Sequence, residues 1–269
     1  MERSWCLEDF EVLEKLGEGK MAQVFRAVER RSNKEVALKI FAKKPIENHN
    51  FYHQTRREVE IQYHLHYKHI LKLYGYFQSE KELFLVLEFV GGRSLHSLCV
   101  TTELEDSRIR RIVYQLSLAV MYMHLRGVIH RDLKLENVLI DSKNDVKVID
   151  FGWSVHCPTE DLRATYCGTV LYLSPEIVEG RGYDKSVDIW ALGVLMYELY
   201  FKNPPFYGRD KKSTFEMIVG DSLVFPKPIR IDAENLLRNM LNKDPRKRIK
   251  IEDVLQHCYF RDFRKASQN

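Results

Sequence analysis

The stretch His130 to Gly152, HRDLKLENVLIDSKNDVKVIDFG, constrains the fold more than any other part of the chain. Two apolar runs, Val138-Leu139-Ile140 and Val146-Lys147-Val148-Ile149, flank the turn-rich Asp141-Ser142-Lys143-Asn144-Asp145. Runs of this kind on either side of such a segment predict a β-hairpin. A hairpin returns the chain to its starting end, so Asn137 and Asp150 meet although 13 positions separate them. Asp132 lies just upstream. Carboxylate and amide oxygens converging in this way suit a Mg²⁺–phosphate site.

The residues before this hairpin read as a small β unit. Phe10-Glu11-Val12 opens a strand that Gly17-Glu18-Gly19-Lys20 breaks. Val24 to Val28 and Val36 to Ile40 follow as two more. A glycine turn between strands lets backbone N–H groups approach phosphates closely. Tyr52 to His66 predicts a helix, and Glu58 is its strongest candidate to pair with Lys39. Leu71 to Tyr74 and Leu83 to Leu87 predict a fourth and fifth strand, and Glu88-Phe89-Val90-Gly91-Gly92 then breaks the pattern as a hinge. From Leu95 the period becomes helical. Asp106 or Ser107 caps a helix with apolar residues at Ile109, Ile112, Val113, Leu116, Val120 and Met123. Asp188-Ile189-Trp190 opens a strongly apolar helix, read as a central pillar.

Composition excludes more than it assigns. The formal net charge of +4 is too mild to argue for nucleic acid. Lys43-Lys44 and Arg246-Lys247-Arg248 read as solvated faces. The five cysteines, at 6, 99, 157, 167 and 258, are odd in number and irregularly spaced, which points to a reducing compartment rather than a disulfide framework. His64, His66 and His69 lie at a helix end without a carboxylate or cysteine partner and are not read as a metal site. The first ten residues have no apolar core for a signal peptide, and no apolar run approaches membrane-spanning length.

His130-Arg131-Asp132-Leu133 with Asn137, and Asp150-Phe151-Gly152, resemble the catalytic and metal-binding loops of eukaryotic protein kinases. Gly17-x-Gly19 with Val24, and Val36-Ala37-Leu38-Lys39, sit at the spacing of that family's glycine-rich loop and phosphate-binding lysine. The resemblance implies an α+β, bilobal eukaryotic protein-kinase fold, with a small five-stranded antiparallel N-lobe carrying one helix and a larger, mainly helical C-lobe. It implies a short extension (1–9), a kinase domain (10–260) divided into N-lobe (10–87), hinge (88–92) and C-lobe (93–260), and a tail (261–269). It also implies ATP and Mg²⁺ as cofactors. Asp132 would orient the attacking hydroxyl and take its proton, Lys134 would neutralise the γ-phosphate, and Asn137 and Asp150 would hold Mg²⁺. Lys39, fixed by Glu58, would meet the α- and β-phosphates. Asp188 would accept hydrogen bonds from the backbone around His130, and Glu176, in the variant Ser174-Pro175-Glu176 of a family element, would form a buried pair with Arg248. Leu16, Gly17, Glu18, Gly19, Lys20, Met21, Ala22, Gln23, Val24, Ala37, Glu88, Val90 and Leu139 would line the nucleotide. Ala22 replaces the third glycine of the loop and should stiffen it slightly. Gln62 stands where such kinases place an apolar residue, which predicts a looser joint beneath the Glu58 helix.

A narrower resemblance follows. Trp5-x-Leu7-Glu8-Asp9-Phe10, Arg56-Arg57-Glu58-Val59-Glu60-Ile61-Gln62, Asp150-Phe151-Gly152-Trp153-Ser154-Val155-His156 and Tyr166-Cys167-Gly168-Thr169 look like Aurora kinases, over about Trp5 to Phe260. Met21, Ala22, Ala164 and Leu135, where the family has proline, depart from the pattern. The resemblance implies phosphorylation of Ser or Thr with Arg two residues upstream, read by Glu136 and Glu198, with Thr169 contacting Asp132 and Lys134. Arg163-Ala164-Thr165 fits that pattern itself. A phosphate on Thr165 would pair with Arg131 and Arg57 and order the loop. The implied role is mitotic: chromosome segregation, spindle and kinetochore work, and histone H3 phosphorylation, in nucleus and cytoplasm. The implied partners are an inner-centromere scaffold of a chromosomal passenger complex or a spindle-assembly factor, acting on a chain otherwise monomeric, with no direct nucleic acid and no membrane. Trp5 and the Gln62 helix are candidate docking points, and simple packing of Trp5 is an equal alternative. The near absence of an N-terminal tail would leave out targeting signals carried there. A pseudokinase scaffold and another basophilic kinase, such as a Polo-like one, remain alternatives, although intact Lys39, Glu58, Asp132, Asn137 and Asp150 argue against the first.

Overall fold

The computed structural model describes residues 5–19, 22–43, 56, 58–152, 154–156 and 169–266. The chain divides into two compact units, 1–91 and 92–269.

The first unit is an antiparallel five-stranded sheet of order β1-β2-β3-β5-β4. Its strands are β1 (Phe10–Glu18), β2 (Ala22–Glu29), β3 (Lys34–Ala42), β4 (Leu73–Gln78) and β5 (Glu82–Glu88). Alternation on these strands sends Phe10, Ala27, Val36, Leu38, Phe77, Phe84 and Val86 into one cluster. Phe77 stacks between Phe10 and Phe84, with ring centroids at 5.5 and 4.6 Å. Trp5 joins this cluster, edge-on to Phe10 at 5.8 Å. A Cβ on Gly75 would lie 3.0 Å from the Trp5 ring, so glycine there admits the indole. The Trp5 side chain thus packs on its own sheet.

Four expectations need correction in this unit. β1 does not break at Gly17 but runs through Glu18, because Gly17↔Val24 and Glu18↔Gln23 continue its ladder with β2. The helix carrying Glu58, α1 (58–63), ends before His66. Its last turn tightens through N–H bonds of His64 to Ile61 and Leu65 to Gln62, the three-residue pattern common at helix ends. Its predicted start at Tyr52 lies outside the described residues. β4 begins at Leu73 rather than Leu71. The Leu71 carbonyl is taken by the Gln62 amide at 3.0 Å instead of a ladder partner. That bond also overturns the looser joint expected under α1. Gln62 is buried and anchors the helix to the chain entering β4.

The second unit is mainly helical: α2 (Leu95–Thr101), α3 (Asp106–Leu125), α4 (Pro175–Val178), α5 (Ser186–Phe201), α6 (Lys211–Gly220), α7 (Ile231–Met240), α8 (Ile251–Gln256) and α9 (Arg261–Ala266). α5 is apolar on all sides, and such a helix must be buried. Its residues from Val187 to Tyr197 are all buried, as expected of a pillar. α3 buries the predicted stripe Ile109, Ile112, Val113, Leu116, Val120 and Met123. Its N-cap is Glu105, however, and neither Asp106 nor Ser107. Asp106 sits in the first turn, where its carboxylate accepts the Tyr200 hydroxyl.

β6 (Gly92–Ser94), β8 (Val138–Asp141) and β9 (Val146–Val148) form a three-stranded sheet. β7 (Val128–Ile129) pairs with β10 (Val155–His156). A Cβ on Gly92 would stand 2.1 Å from the Ile140 carbonyl oxygen, a backbone atom that cannot swing aside. Gly92→Ala should therefore cost about 2 kcal/mol of stability. The expected result is a lower denaturation midpoint with an unchanged slope. A wild-type midpoint would refute the close approach.

Candidate active site

In the first unit Lys39 lies at the middle of β3, between Val24 on β2 and Leu85 on β5. Its Nζ donates to Glu58 Oε1 at 2.6 Å. Both side chains are largely shielded from water, which strengthens the pair over a surface one. Ala37 is buried two residues back on the same strand. Leu16, Gly17 and Glu18 end β1, and the Gly19 N–H donates to the Ala22 carbonyl at 2.8 Å to close the turn. Gln23 Nε2 donates to Glu18 at 3.1 Å. Lys20 and Met21 lie outside the described residues. Glu88 ends β5, with its N–H donated to the Lys72 carbonyl at 2.8 Å, and Val90 follows it.

In the second unit the hairpin forms with Val138↔Val148 in register. β9 stops one residue short of Ile149, whose N–H donates to the Asn137 carbonyl at 2.9 Å and closes the open end of the hairpin. Asn137 and Asp150 therefore leave the same end, as the turn spacing requires. Leu139 sits on β8 opposite Ser94.

Asp132 is the hub. Its Oδ1 accepts from Thr169 Oγ1 at 3.0 Å and Thr169 N at 3.2 Å. Its Oδ2 accepts from Lys134 Nζ at 2.8 Å and Asn137 Nδ2 at 2.9 Å. Lys134 also donates to Thr169 Oγ1 at 2.8 Å. The carboxylate is nearly buried, so these donors replace the water it has lost.

The loop backbone is held from beneath. Arg131 takes φ +69° and Asp150 φ +64°, left-handed values that cost side-chain-bearing residues energy. Asp188 offsets this by accepting from Arg131 N at 2.9 Å and His130 N at 3.0 Å. His124 Nε2 shares the same carboxylate at 2.9 Å. Burial would push the Asp188 carboxyl up. The His124 hydrogen bond, the charges of His124 and His130 and the Arg131 N–H outweigh burial and hold it below the usual range. The His130 ring stands edge-on to buried Phe151 at 5.1 Å. Arg131 Nη1 donates to the Tyr183 hydroxyl at 2.7 Å. Thr165 and Arg57 lie outside the described residues.

The donor set fits Mg²⁺. Both N–H groups of Asn137 are committed to Asp132, to its backbone carbonyl and to Oδ2, each at 2.9 Å. Its carbonyl oxygen is thus the atom with cation-binding chemistry, and Asp150 adds a carboxylate. Two hard oxygen ligands suit an ion that keeps most of its water and shares phosphate oxygens.

Glu136 is exposed on the 3₁₀ turn Leu135–Asn137, and Glu198 is half-buried on α5. The Tyr172 hydroxyl donates to Glu198. Tyr172, His124 and Tyr183 escaped sequence reasoning, because their partners lie 26, 64 and 52 positions away. No local spacing announces them.

The family model for the protein kinase domain matches residues 10–260. The chain is 39% identical over 260 residues to an Aurora kinase of Dictyostelium discoideum, covering 96% of this chain and 67% of that one. It is 42% identical over 256 residues to Aurora kinase A-A of Xenopus laevis, covering 95% and 63%. It is 42% identical over 259 residues to serine/threonine-protein kinase Aurora-1 of Arabidopsis thaliana, covering 95% and 87%. The chain thus spans a little under two thirds of the Xenopus relative's length.

Proposed function

Because the chain belongs to the Aurora family of serine/threonine protein kinases, we propose that it transfers the γ-phosphoryl group of ATP to Ser or Thr hydroxyls that have arginine two residues upstream. The observation that carries this reading is the closed contact among Asp132, Lys134, Asn137 and Thr169. Phosphoryl transfer needs positioning and charge neutralisation more than covalent help, and this cluster offers both.

Asp132 accepts the proton of the substrate hydroxyl and aims its oxygen. Thr169 holds Asp132 in one rotamer until that hydroxyl arrives. Lys134 lies within reach of both and meets charge on the transferred group. Lys39, held by Glu58, binds the α- and β-phosphates. Gly17, Glu18, Gly19, Ala22 and Gln23 form the loop that lies against the phosphates, while Leu16, Val24, Ala37 and Leu139 give apolar surface to the base and Glu88 and Val90 give backbone polar groups. Asn137 and Asp150 would hold Mg²⁺, which would supply neutralisation of phosphate charge. Glu136 and Glu198 pair with the substrate arginine.

The wider role follows the family: mitotic chromosome segregation at spindle, centromere and kinetochore, with histone H3 among the substrates. Activation comes from a peptide of an inner-centromere-type scaffold or a spindle-assembly factor.

Transfer of labelled phosphate from ATP to a peptide pair, Arg-x-Ser against Ala-x-Ser, tests the reading. Equal rates on both would remove the arginine requirement. Arg163-Ala164-Thr165 matches the same pattern, so Thr165 should be phosphorylated by a second copy. Thr165→Ala should lower peptide phosphorylation about tenfold, the scale of one or two lost charge-assisted contacts. Unchanged activity would sink the regulatory role of Thr165.

A further inference from the structure

Tyr172 joins Glu198 to the turn that carries Glu136: its hydroxyl donates to Glu198 and accepts the Leu135 N–H at 3.4 Å, one residue before Glu136. Among the described residues neither carboxylate has a lysine or arginine ion-pair partner. Burial pushes the Glu198 carboxyl up, the Tyr172 hydroxyl holds it down, and the charge of Glu136 pushes it up again. Such a pair is short of positive charge, and any cation that reaches it is stabilised.

One basic side chain stands on the helix packed against that turn. α2 packs against the 3₁₀ turn that carries Glu136. Its Cys99 Sγ donates to the Glu198 carbonyl at 3.6 Å. His96 lies one turn before Cys99, on the same helix face, and is exposed. Its charge acts on Glu198 in the opposite sense to that of Glu136.

We propose that His96 competes with the substrate's arginine for the Glu136–Glu198 pair and so sets how strictly this kinase depends on that arginine. The proposal rests on the reading that these two carboxylates receive the arginine. The guanidinium and a charged imidazole relieve the same repulsion, and neither gains fully while the other is in place. The competition acts on binding of the ground state and the transition state alike, so it appears in KM and leaves kcat alone. His96 touches no reacting atom. It is a specificity-determining residue.

A charge series at one fixed pH tests this: His96→Arg, His96→Gln and His96→Glu, each assayed on Arg-x-Ser and Ala-x-Ser peptides. Because His96 is exposed, all three variants should fold. His96→Arg should lower kcat/KM for the arginine peptide about fivefold through KM, and His96→Glu should raise it by a similar factor, the scale of one partly screened ion pair. His96→Gln should fall between His96→Glu and the wild type. The Ala-x-Ser peptide should stay within about twofold throughout. Raising the salt should shrink every difference. A second readout needs no catalysis: the Glu198 carboxyl, followed by carbon NMR, should titrate at higher pH in His96→Gln than in the wild type. A flat series, or an unmoved Glu198 titration, overturns the proposal. If the wild type and Glu136→Gln treat the two peptides alike, the arginine reading itself falls and takes the competition with it. If those two differ and the His96 series is flat, only the competition falls.

Discussion

Asp132→Asn should lower kcat by about 10³-fold, the middle of the range for losing a positioned general base. The substitution keeps the shape of the side chain, so the loop should fold. It changes the chemistry in two ways. The amide has no charge with which to draw the proton from the incoming hydroxyl. One of its ends also becomes a donor, and it must face either Thr169 or the pair Lys134 and Asn137, all of which already donate to this position. The loss amounts to about 4 kcal/mol of transition-state stabilisation. Peptide phosphorylation at saturating ATP measures it, with Tm as the control for folding. KM for ATP should move by less than about threefold, because the lost interaction belongs to the transition state. A variant that kept a tenth of wild-type kcat would remove Asp132 from the chemistry.

Arg248→Met should be the most destabilising single substitution away from the reacting groups, at about 4 kcal/mol. Arg248 Nη1 and Nη2 donate to the two carboxylate oxygens of Glu176 at 2.7 and 2.9 Å. Both residues are buried, and Glu176 is fully so. Methionine fills much of the volume but leaves a carboxylate in the interior with no cation. Arg248 also donates to the carbonyls of Ser186 at 2.9 Å and Asn242 at 3.1 Å. It therefore joins α4, the start of α5 and the chain after α7. Glu176→Gln should cost less than Arg248→Met, because the guanidinium keeps those two carbonyls. The double variant should recover part of the loss, since neither partner is then left charged and alone. Denaturant titration measures all three. A double variant as unstable as the sum of the singles would show that the two side chains act independently. Total stability of an ordinary domain is about 5–15 kcal/mol, so Arg248→Met alone should remove a large share of it.

Legibility in the sequence followed the range of the interaction. The hairpin, Asn137 beside Asp150, and the alternation that builds the first sheet all depend on short periods and turn residues. They could be read directly. The Lys39–Glu58 and Glu176–Arg248 pairs were legible for another reason: the resemblance of the surrounding motifs to those of protein kinases implied both. Ends of elements were less legible, because single side chains decide them. Gln62 takes the Leu71 carbonyl and delays β4. The pairing of Glu18 with Gln23 prolongs β1 through a glycine that sequence reasoning took for a break.

By itself the sequence determined which groups are able to do chemistry, and near which turn or strand each of them falls. Residue type and spacing of two or three to four positions carry that information, because they act through local backbone geometry. Only the tertiary structure decided what surrounds those groups. It set Asp132 among four donors, Asp188 beneath a loop in left-handed backbone with His124 behind it, and the Tyr172 hydroxyl on Glu198. Such contacts join residues tens of positions apart, and packing selects them. No local pattern in the chain records that selection.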